Sequence, residues 1–195
     1  MKVLVACEFS GVVREAFRKK GHDAWSCDIL PAKDSSPYHH RGQIQHLLSN
    51  HWQQWDLMIA HPPCTYLTVA GNRWYHDRLD LIEGAAGFFM ILQNAPIEKK
   101  CIENPVGRMS TLWRKPDQIV QPYWFGDPFE KKTCLWLSNL PLLTPTNMVE
   151  PPPRQQVKGG KTLPTWYSNA PKKDRSMIRS TTFQGLANAM ADQWG

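Results

Sequence analysis

The sequence lacks paired cysteines, a histidine metal motif and any long apolar run, and each absence excludes a class of protein. The five cysteines are an odd number and widely spaced, without a C-x-x-C pair, so we expect no disulfide framework and no zinc site. The seven histidines form no H-x-x-x-H pair, and we expect no metal. The acidic residue Glu8 lies where a signal peptide would have its apolar region, so we expect no signal peptide. No apolar run is long enough to span a membrane. We therefore expect a cytoplasmic protein without membrane contact.

The composition favours one globular domain with an anionic partner. A chain of 195 residues is long enough to bury a sizeable core, and 42% of its residues are hydrophobic. The formal net charge is +6, which favours a polyanion such as nucleic acid because lysine and arginine displace counterions from phosphates. We expect a single domain over 1–195, with a short irregular basic segment at about 140–179.

The first thirty residues predict the opening of a doubly wound α/β fold. Lys2 to Cys7 reads as a strand, Val12 to Lys20 has helical spacing, and Asp23 to Ile29 reads as a second strand. The turn at Gly11 and the acidic strand end at Asp28 are placed to hold a nucleotide ligand and its ribose. The dinucleotide motif G-x-G-x-x-G is absent, and a single turn glycine is weak evidence for a nucleotide.

The remaining pattern extends this fold. We expect Leu30 to Gly42 to be a loop, and Gln43 to Leu48 to be either a helix or a strand. The other predicted elements are strands at Trp55–Ala60, Lys99–Ile102, Gln121–Phe125 and Lys132–Ser138, and helices at Leu79–Gln93 and Phe183–Trp194. Alternating strands and helices predict a Rossmann-like α/β sheet with helices on both faces.

Two chemically active side chains follow predicted strands. Pro62 and Pro63 fix the backbone after the strand ending at Ala60, so Cys64 is held at a defined point beyond the strand. Glu103 follows the strand ending at Ile102. Ligands of open α/β sheets bind at this edge, so both side chains are candidate site residues. The alternatives are that Cys64 is a small buried hydrophobe and Glu103 a solvated loop residue.

The region before the last helix is basic and carries aromatic residues. Such a combination suits contact with a phosphate backbone and stacking on bases, although a solvated loop has the same composition. The residues that we assign to nucleic-acid binding here are Arg154, Lys158, Lys161, Trp166, Lys172 and Lys173.

The order of these motifs resembles the DNA cytosine-5 methyltransferase family. The matching segments are Phe9-Ser10-Gly11, Asp28, Pro62-Pro63-Cys64, Glu103-Asn104-Pro105 and the C-terminal Gly185-Leu186-Ala187-Asn188-Ala189. The sequence departs from the family at Val13, where a second glycine is usual, and at Lys131 and Lys132, where arginines are usual. It also has little room for the family's target-recognition domain.

The resemblance implies the reaction and its ligands. Cys64 would attack carbon 6 of cytosine, Glu103 would bind the base, and S-adenosyl-L-methionine would supply the methyl group, as in DNA methylation by restriction-modification systems. A nearby positive charge, such as Arg73, would favour the reactive thiolate of Cys64. The cofactor would contact Phe9, Ser10, Gly11, Asp28, Pro62 and Asn188, and DNA would contact Arg73, Lys131 and Lys132.

Three alternatives remain open from the sequence. The acceptor could be a free cytosine nucleotide or RNA, or the chain could be a catalytically silent DNA-binding homologue. A partner protein or a homodimer could supply the sequence specificity that the short basic segment does not.

Overall fold

The protein is a mixed α/β structure built on a seven-stranded sheet. The computed structural model describes residues 1–51, 55–68, 76–157, 159–171 and 181–195. Its strands are β1 (Lys2–Ala6), β2 (Asp23–Asp28), β3 (His39–Arg41), β4 (Leu57–Ala60), β5 (Lys99–Pro105), β6 (Gln118–Val120), β7 (Thr133–Ser138), β8 (Arg154–Gln156) and β9 (Thr162–Pro164). Its helices are α1 (Val12–Lys19), α2 (Ile44–His51), α3 (Leu79–Gln93), α4 (Met109–Leu112), α5 (Thr165–Asn169) and α6 (Gln184–Trp194).

The sheet has the strand order β3-β2-β1-β4-β5-β7-β6, and β8 pairs with β9 in a separate hairpin. The first five strands in this order run parallel, whereas β7 is antiparallel to both β5 and β6. The chain reverses its direction of travel across the sheet between β1 and β4. In a doubly wound fold, this switch point at the carboxyl ends of the strands is where ligands bind.

Both faces of the sheet are covered, as the sequence predicts. Alternating residues of β1 enter two different cores, Val3 and Val5 on one face and Leu4 and Ala6 on the other, and all four are fully buried. Helices α1 and α6 pack on the first face, and α2, α3 and α4 on the second. The prediction of a Rossmann-like sheet with helices on both faces is confirmed.

Three parts of the chain differ from the sequence prediction. The strand predicted at Gln121–Phe125 is wrong, because Pro122–Trp124 forms a single 3-10 turn and the strand is β6, just before it. The predicted loop at 30–42 contains the short edge strand β3. The segment predicted to be irregular contains the hairpin β8–β9 and the helix α5.

None of the helices within the described ranges is both long and apolar enough to cross a membrane.

Gly107 permits a close approach between the loops that follow β4 and β5. Thr68 pairs with Gly107 in an isolated bridge, and the Arg108 N–H donates to the Leu67 carbonyl at 2.7 Å. A Cβ at position 107 would lie 2.0 Å from that carbonyl oxygen. Because the obstacle is backbone, the loop carrying Cys64 must shift to accept any side chain there.

We expect Gly107→Ala to lower the free energy of unfolding by about 2 kcal/mol, or roughly 4–8 °C in Tm. Thermal unfolding followed by circular dichroism measures the change. Gly87→Ala is the matched control, since a Cβ there meets nothing within 4 Å on helix α3, and we expect it to leave stability unchanged or raise it. Equal Tm values for the two variants would contradict this interpretation of the loop contact.

Candidate active site

A large cleft opens at the carboxyl ends of β1, β4 and β5, at the switch point of the sheet. Its volume is about 1230 Å³. Nine residues that the sequence analysis assigned to catalysis, cofactor or substrate line this one cleft, namely Phe9, Ser10, Asp28, Pro62, Cys64, Glu103, Lys131, Lys132 and Trp166. The structure therefore brings together side chains that are far apart in the sequence.

Other predicted site residues lie elsewhere. Gly11, Asn188, Arg154 and Lys161 are not part of the cleft wall. Asn188 is exposed on α6 and accepts a hydrogen bond from Gln184. Four further predicted residues, Arg73, Lys158, Lys172 and Lys173, lie outside the residues that the structure describes.

The turn between β1 and α1 is stabilised by Glu8. Its buried carboxylate accepts hydrogen bonds from the backbone N–H groups of Val13 at 2.7 Å and Arg14 at 3.2 Å. Burial raises the Glu8 pKa, and an electrostatic interaction with His61 and these hydrogen bonds oppose that rise. Two of the free N–H groups in the first turn of α1 are therefore hydrogen-bonded within the protein. Phe9 and Ser10 are the residues of this turn that remain to contact a ligand.

Gly11 serves the packing of this turn. Its φ of 76° is in the left-handed region, and a Cβ there would collide with the Arg14 guanidinium and the Asp34 carboxylate. Arg14 is fully buried, is ion-paired to Asp34 and donates to Ser26 Oγ at 2.8 Å. A glycine is needed at this position because the backbone is left-handed and the buried ion pair occupies the space of a side chain.

The Cys64 loop is held from two sides. The Asn104 side chain donates from Nδ2 to the Pro62 carbonyl at 3.0 Å, which ties the loop to β5. The Cys64 carbonyl accepts from the N–H groups of Leu67 and Thr68 at 2.9 and 3.0 Å, closing a tight turn. Cys64 is thus half-buried at the cleft wall on a backbone fixed at both ends.

Glu103 is buried between two positively charged or hydrogen-bonding partners. His61 Nδ1 lies 2.7 Å from Glu103 Oε2, and Lys131 Nζ lies 3.8 Å from Oε1. Burial raises the pKa of the carboxyl, but the positive charge of Lys131 and the hydrogen bond from His61 outweigh it and lower the Glu103 pKa to about 2. Glu103 is therefore an ionised acceptor at neutral pH.

The other four cysteines are poor nucleophiles. Burial raises the pKa of the Cys7 and Cys101 thiols far above their ordinary value, that of Cys27 to about 12 and that of Cys134 to about 11. The thiolate is the reactive form, so these side chains are unreactive at neutral pH. Cys64 is the candidate nucleophile of the cleft.

The β1–β2 side of the cleft suits a ligand with hydroxyl groups. Asp28 Oδ1 accepts the Leu30 N–H at 2.9 Å, which fixes the carboxylate at the cleft wall. An ionised carboxylate has about four acceptor positions, so the side chain retains capacity for ribose hydroxyls. Among the described residues, no three histidine, cysteine or acidic side chains are grouped so as to hold a metal ion.

The sequence motifs assign no role to His61, Glu8 or Asn104. All three lie at or just beyond strand ends, and each bonds to a neighbouring strand end or turn. The only sequence signal for His61 is its position directly before the proline pair. Its partner, Glu103, can be identified only from the pairing of β4 with β5.

Comparison with known proteins supports the fold. No protein-family model and no curated protein matches the sequence. Among solved structures, a candidate DNA modification methyltransferase encoded within an E. coli prophage superposes with a TM-score of 0.51 at 14% identity, covering 78% of this chain and 52% of that one. A mutant DNMT2 of Spodoptera frugiperda gives a TM-score of 0.49 at 17% identity, covering 77% of this chain and 57% of that one.

The likeness to the prophage protein is one of fold. This chain shares the α/β fold of that protein, and it spans about half of that protein's length.

The ionisation of Glu103 makes a testable contribution to stability. Its folded-state pKa of about 2 is below its ordinary value of 4.5, so the contribution is fully present above pH 4.5 and is lost as the pH falls toward 2. The shift corresponds to about 3 kcal/mol. We expect the difference in unfolding free energy between wild type and Glu103→Gln to shrink by this order between about pH 5 and pH 2.

Urea unfolding at a series of pH values measures this difference. The comparison with the variant is needed because the Glu8 pKa is raised, so its contribution runs in the opposite direction and is lost as the pH rises. Glu98→Gln, at an exposed position, is the control and should show a small difference at every pH. A Glu103→Gln difference that is constant with pH would contradict an ionised Glu103.

Proposed function

We propose that the protein transfers a methyl group from S-adenosyl-L-methionine to carbon 5 of cytosine in DNA. The observation that carries the proposal is that Cys64, in the loop after β4, and the ionised Glu103, near the end of the adjacent strand β5, line one cleft. The motif resemblance to DNA cytosine-5 methyltransferases and the fold likeness to a candidate DNA modification methyltransferase support it.

Cys64 would supply covalent catalysis. Carbon 5 of cytosine is a weak nucleophile until a thiolate adds to carbon 6, which makes carbon 6 tetrahedral and leaves an enamine of carbon 5, carbon 4 and the nitrogens on carbon 4. In the proposed sequence, the Cys64 sulfur would bond to carbon 6, and carbon 5 would take the methyl group while the donor's sulfonium leaves as a neutral thioether. Loss of the carbon-5 proton to solvent water would then expel the thiolate again. When bound, S-adenosyl-L-methionine supplies the methyl group as an electrophile.

Glu103 would bind and polarise the base. As an ionised carboxylate it accepts a hydrogen bond from the exocyclic amine of cytosine. Ring nitrogen 3 is itself an acceptor in neutral cytosine, so Glu103 pairs with it only when a proton lies between them. A carboxylate held there stabilises positive charge on nitrogen 3 as the thiolate adds to carbon 6.

The cleft has room for donor and acceptor together. Its volume of about 1230 Å³ exceeds the roughly 300–1,000 Å³ of a pocket for one drug-sized ligand. Phe9, Ser10 and Asp28 lie on the β1–β2 side and would hold the cofactor, whereas Glu103 and Cys64 face the acceptor. The residues present therefore fit S-adenosyl-L-methionine beside a base.

The opposite wall offers contacts for nucleic acid. Lys132 and Trp166 line the cleft, and Trp166 packs edge-on against Phe129 at a centroid distance of 5.4 Å. The hairpin that precedes Trp166 is joined to the core by Arg154, which donates to Glu130 at 2.5 Å. A base must leave the duplex to reach Cys64, and an aromatic residue beside the cleft suits a base that has left its stack.

Covalent trapping tests the nucleophile. DNA containing 5-fluorocytosine cannot lose a proton from carbon 5, so the Cys64 adduct should accumulate with S-adenosyl-L-methionine and survive denaturing electrophoresis. We expect Cys64→Ala to form no adduct while binding cofactor in calorimetry with the wild-type Kd. Cys101→Ala, in the core away from the cleft, is the control and should form the adduct. An adduct in Cys64→Ala would exclude this residue as the nucleophile.

Acceptor choice is tested by comparing duplex DNA, single-stranded DNA, single-stranded RNA and free dCMP, each with 5-fluorocytosine. We expect adducts on DNA to form at least ten times faster than on dCMP, because Lys132 at the cleft wall would attract the phosphates that flank the target base. Rates should fall steeply as salt increases. If dCMP or RNA reacts faster than DNA, that molecule and not DNA is the acceptor. Absence of cofactor binding would favour a catalytically silent DNA-binding protein.

A further inference from the structure

His61 lies between the two halves of the cleft. It follows β4 directly, and its backbone N–H donates to the Ala6 carbonyl at 2.9 Å, which continues the pairing of β4 with β1. Since β4 lies between β1 and β5, His61 has the carboxylate of Glu8 toward one side and that of Glu103 toward the other. Its side chain is only 8% exposed, yet it lines the cleft.

The two ring nitrogens of His61 have different surroundings. Nδ1 lies 2.7 Å from Glu103 Oε2, and because an ionised carboxylate can only accept, Nδ1 carries the hydrogen of this bond. Nε2 is buried and has no hydrogen-bond partner among the described residues. A buried polar atom without a partner is costly, and because His61 lines the cleft, a bound ligand is a candidate partner for Nε2.

The position of Nε2 indicates which ligand satisfies it. The ring nitrogens of an imidazole diverge, so Nε2 is directed away from Glu103. The His61 backbone is paired with Ala6 of β1, so the residue lies between the β1 side and the β5 side of the cleft. The β1 side holds Phe9 and Ser10, where the methyl donor would bind. With the hydrogen on Nδ1, Nε2 of a neutral ring is an acceptor and suits an N–H donor such as an ammonium group.

We propose that His61 is a positioning residue that couples the two halves of the site, orienting Glu103 through Nδ1 and binding the amino-acid end of the methyl donor through Nε2. This inference rests on the proposed function. His61 donates to one oxygen of Glu103, and Lys131 places a positive charge 3.8 Å from the other, at a position where the family that the sequence resembles has arginine. A lysine alone is a point charge without the fixed geometry of a guanidinium, and the His61 bond supplies a direction.

Two substitutions separate the roles of the nitrogens. The amide nitrogen of asparagine can donate to Glu103 in place of Nδ1, and the amide oxygen of glutamine can accept an N–H in place of Nε2. We expect His61→Asn to form the 5-fluorocytosine adduct at saturating cofactor within threefold of the wild-type rate, with a cofactor Kd raised at least fivefold. We expect His61→Gln to bind cofactor within threefold of wild type, with adduct formation slowed at least tenfold. His46→Asn and His46→Gln, at an exposed position on α2, are controls.

The outcomes distinguish this inference from the proposed function. An active wild type in which both His61 variants change rate and Kd equally, or change neither, overturns the positioning role and leaves the proposed function standing. A wild type that binds no S-adenosyl-L-methionine and forms no adduct overturns both.

A measurement on the ligand-free protein tests the Glu103 half without activity. Carbon-13 NMR of the glutamate carboxyls follows Glu103 during an acid titration. We expect His61→Asn to keep the Glu103 pKa near the wild-type value of about 2, because the donor is retained, and His61→Gln to raise it. Equal Glu103 titration in wild type and His61→Gln would overturn the role of Nδ1.

Discussion

The parallel pairing of β4 with β5 is the constraint on which the site depends. Ala60 lies opposite Ile102 in this register, so the residues that follow Ala60 meet those that follow Ile102. His61 then contacts Glu103, and Pro62 accepts a hydrogen bond from Asn104. A slip of one residue in this register would turn Glu103 to the opposite face of the sheet and break both contacts.

Regular patterns in the sequence were sufficient for most of the fold. The apolar spacing of Leu79–Gln93 predicted α3 with the bounds that the structure has, and the buried strands β1, β2, β4 and β7 fell within a residue or two of their predicted ends. The strand β6 was misplaced because its three residues, Gln118–Val120, carry little local signal and are defined by their pairing with β7. The same reason applies to β3, a polar edge strand whose conformation depends on its pairing with β2.

The site was predictable where a strand end could be recognised. Cys64 and Glu103 follow apolar runs, and their place at the cleft follows from the topology of parallel strands. His61 has no such local signal, because its importance depends on a hydrogen bond across 42 residues of sequence. Gly11 was predictable only in part. The turn implied its left-handed backbone, but the Arg14–Asp34 ion pair that occupies the space beside it could be found only from the packing.

The reversal of β7 explains how lysines preceding this strand reach Glu103. Because β7 runs antiparallel to β5, its first residue, Thr133, lies opposite Pro105, and the chain just before it arrives at the carboxyl edge of β5. Lys131 is fixed there by its N–H, which donates to Gln121 Oε1 at 3.0 Å, and its ammonium reaches Glu103 within a largely buried environment. Since a buried carboxylate is strongly destabilising without a partner, the one reversed strand beside β5 is what allows an ionised glutamate at the centre of the cleft.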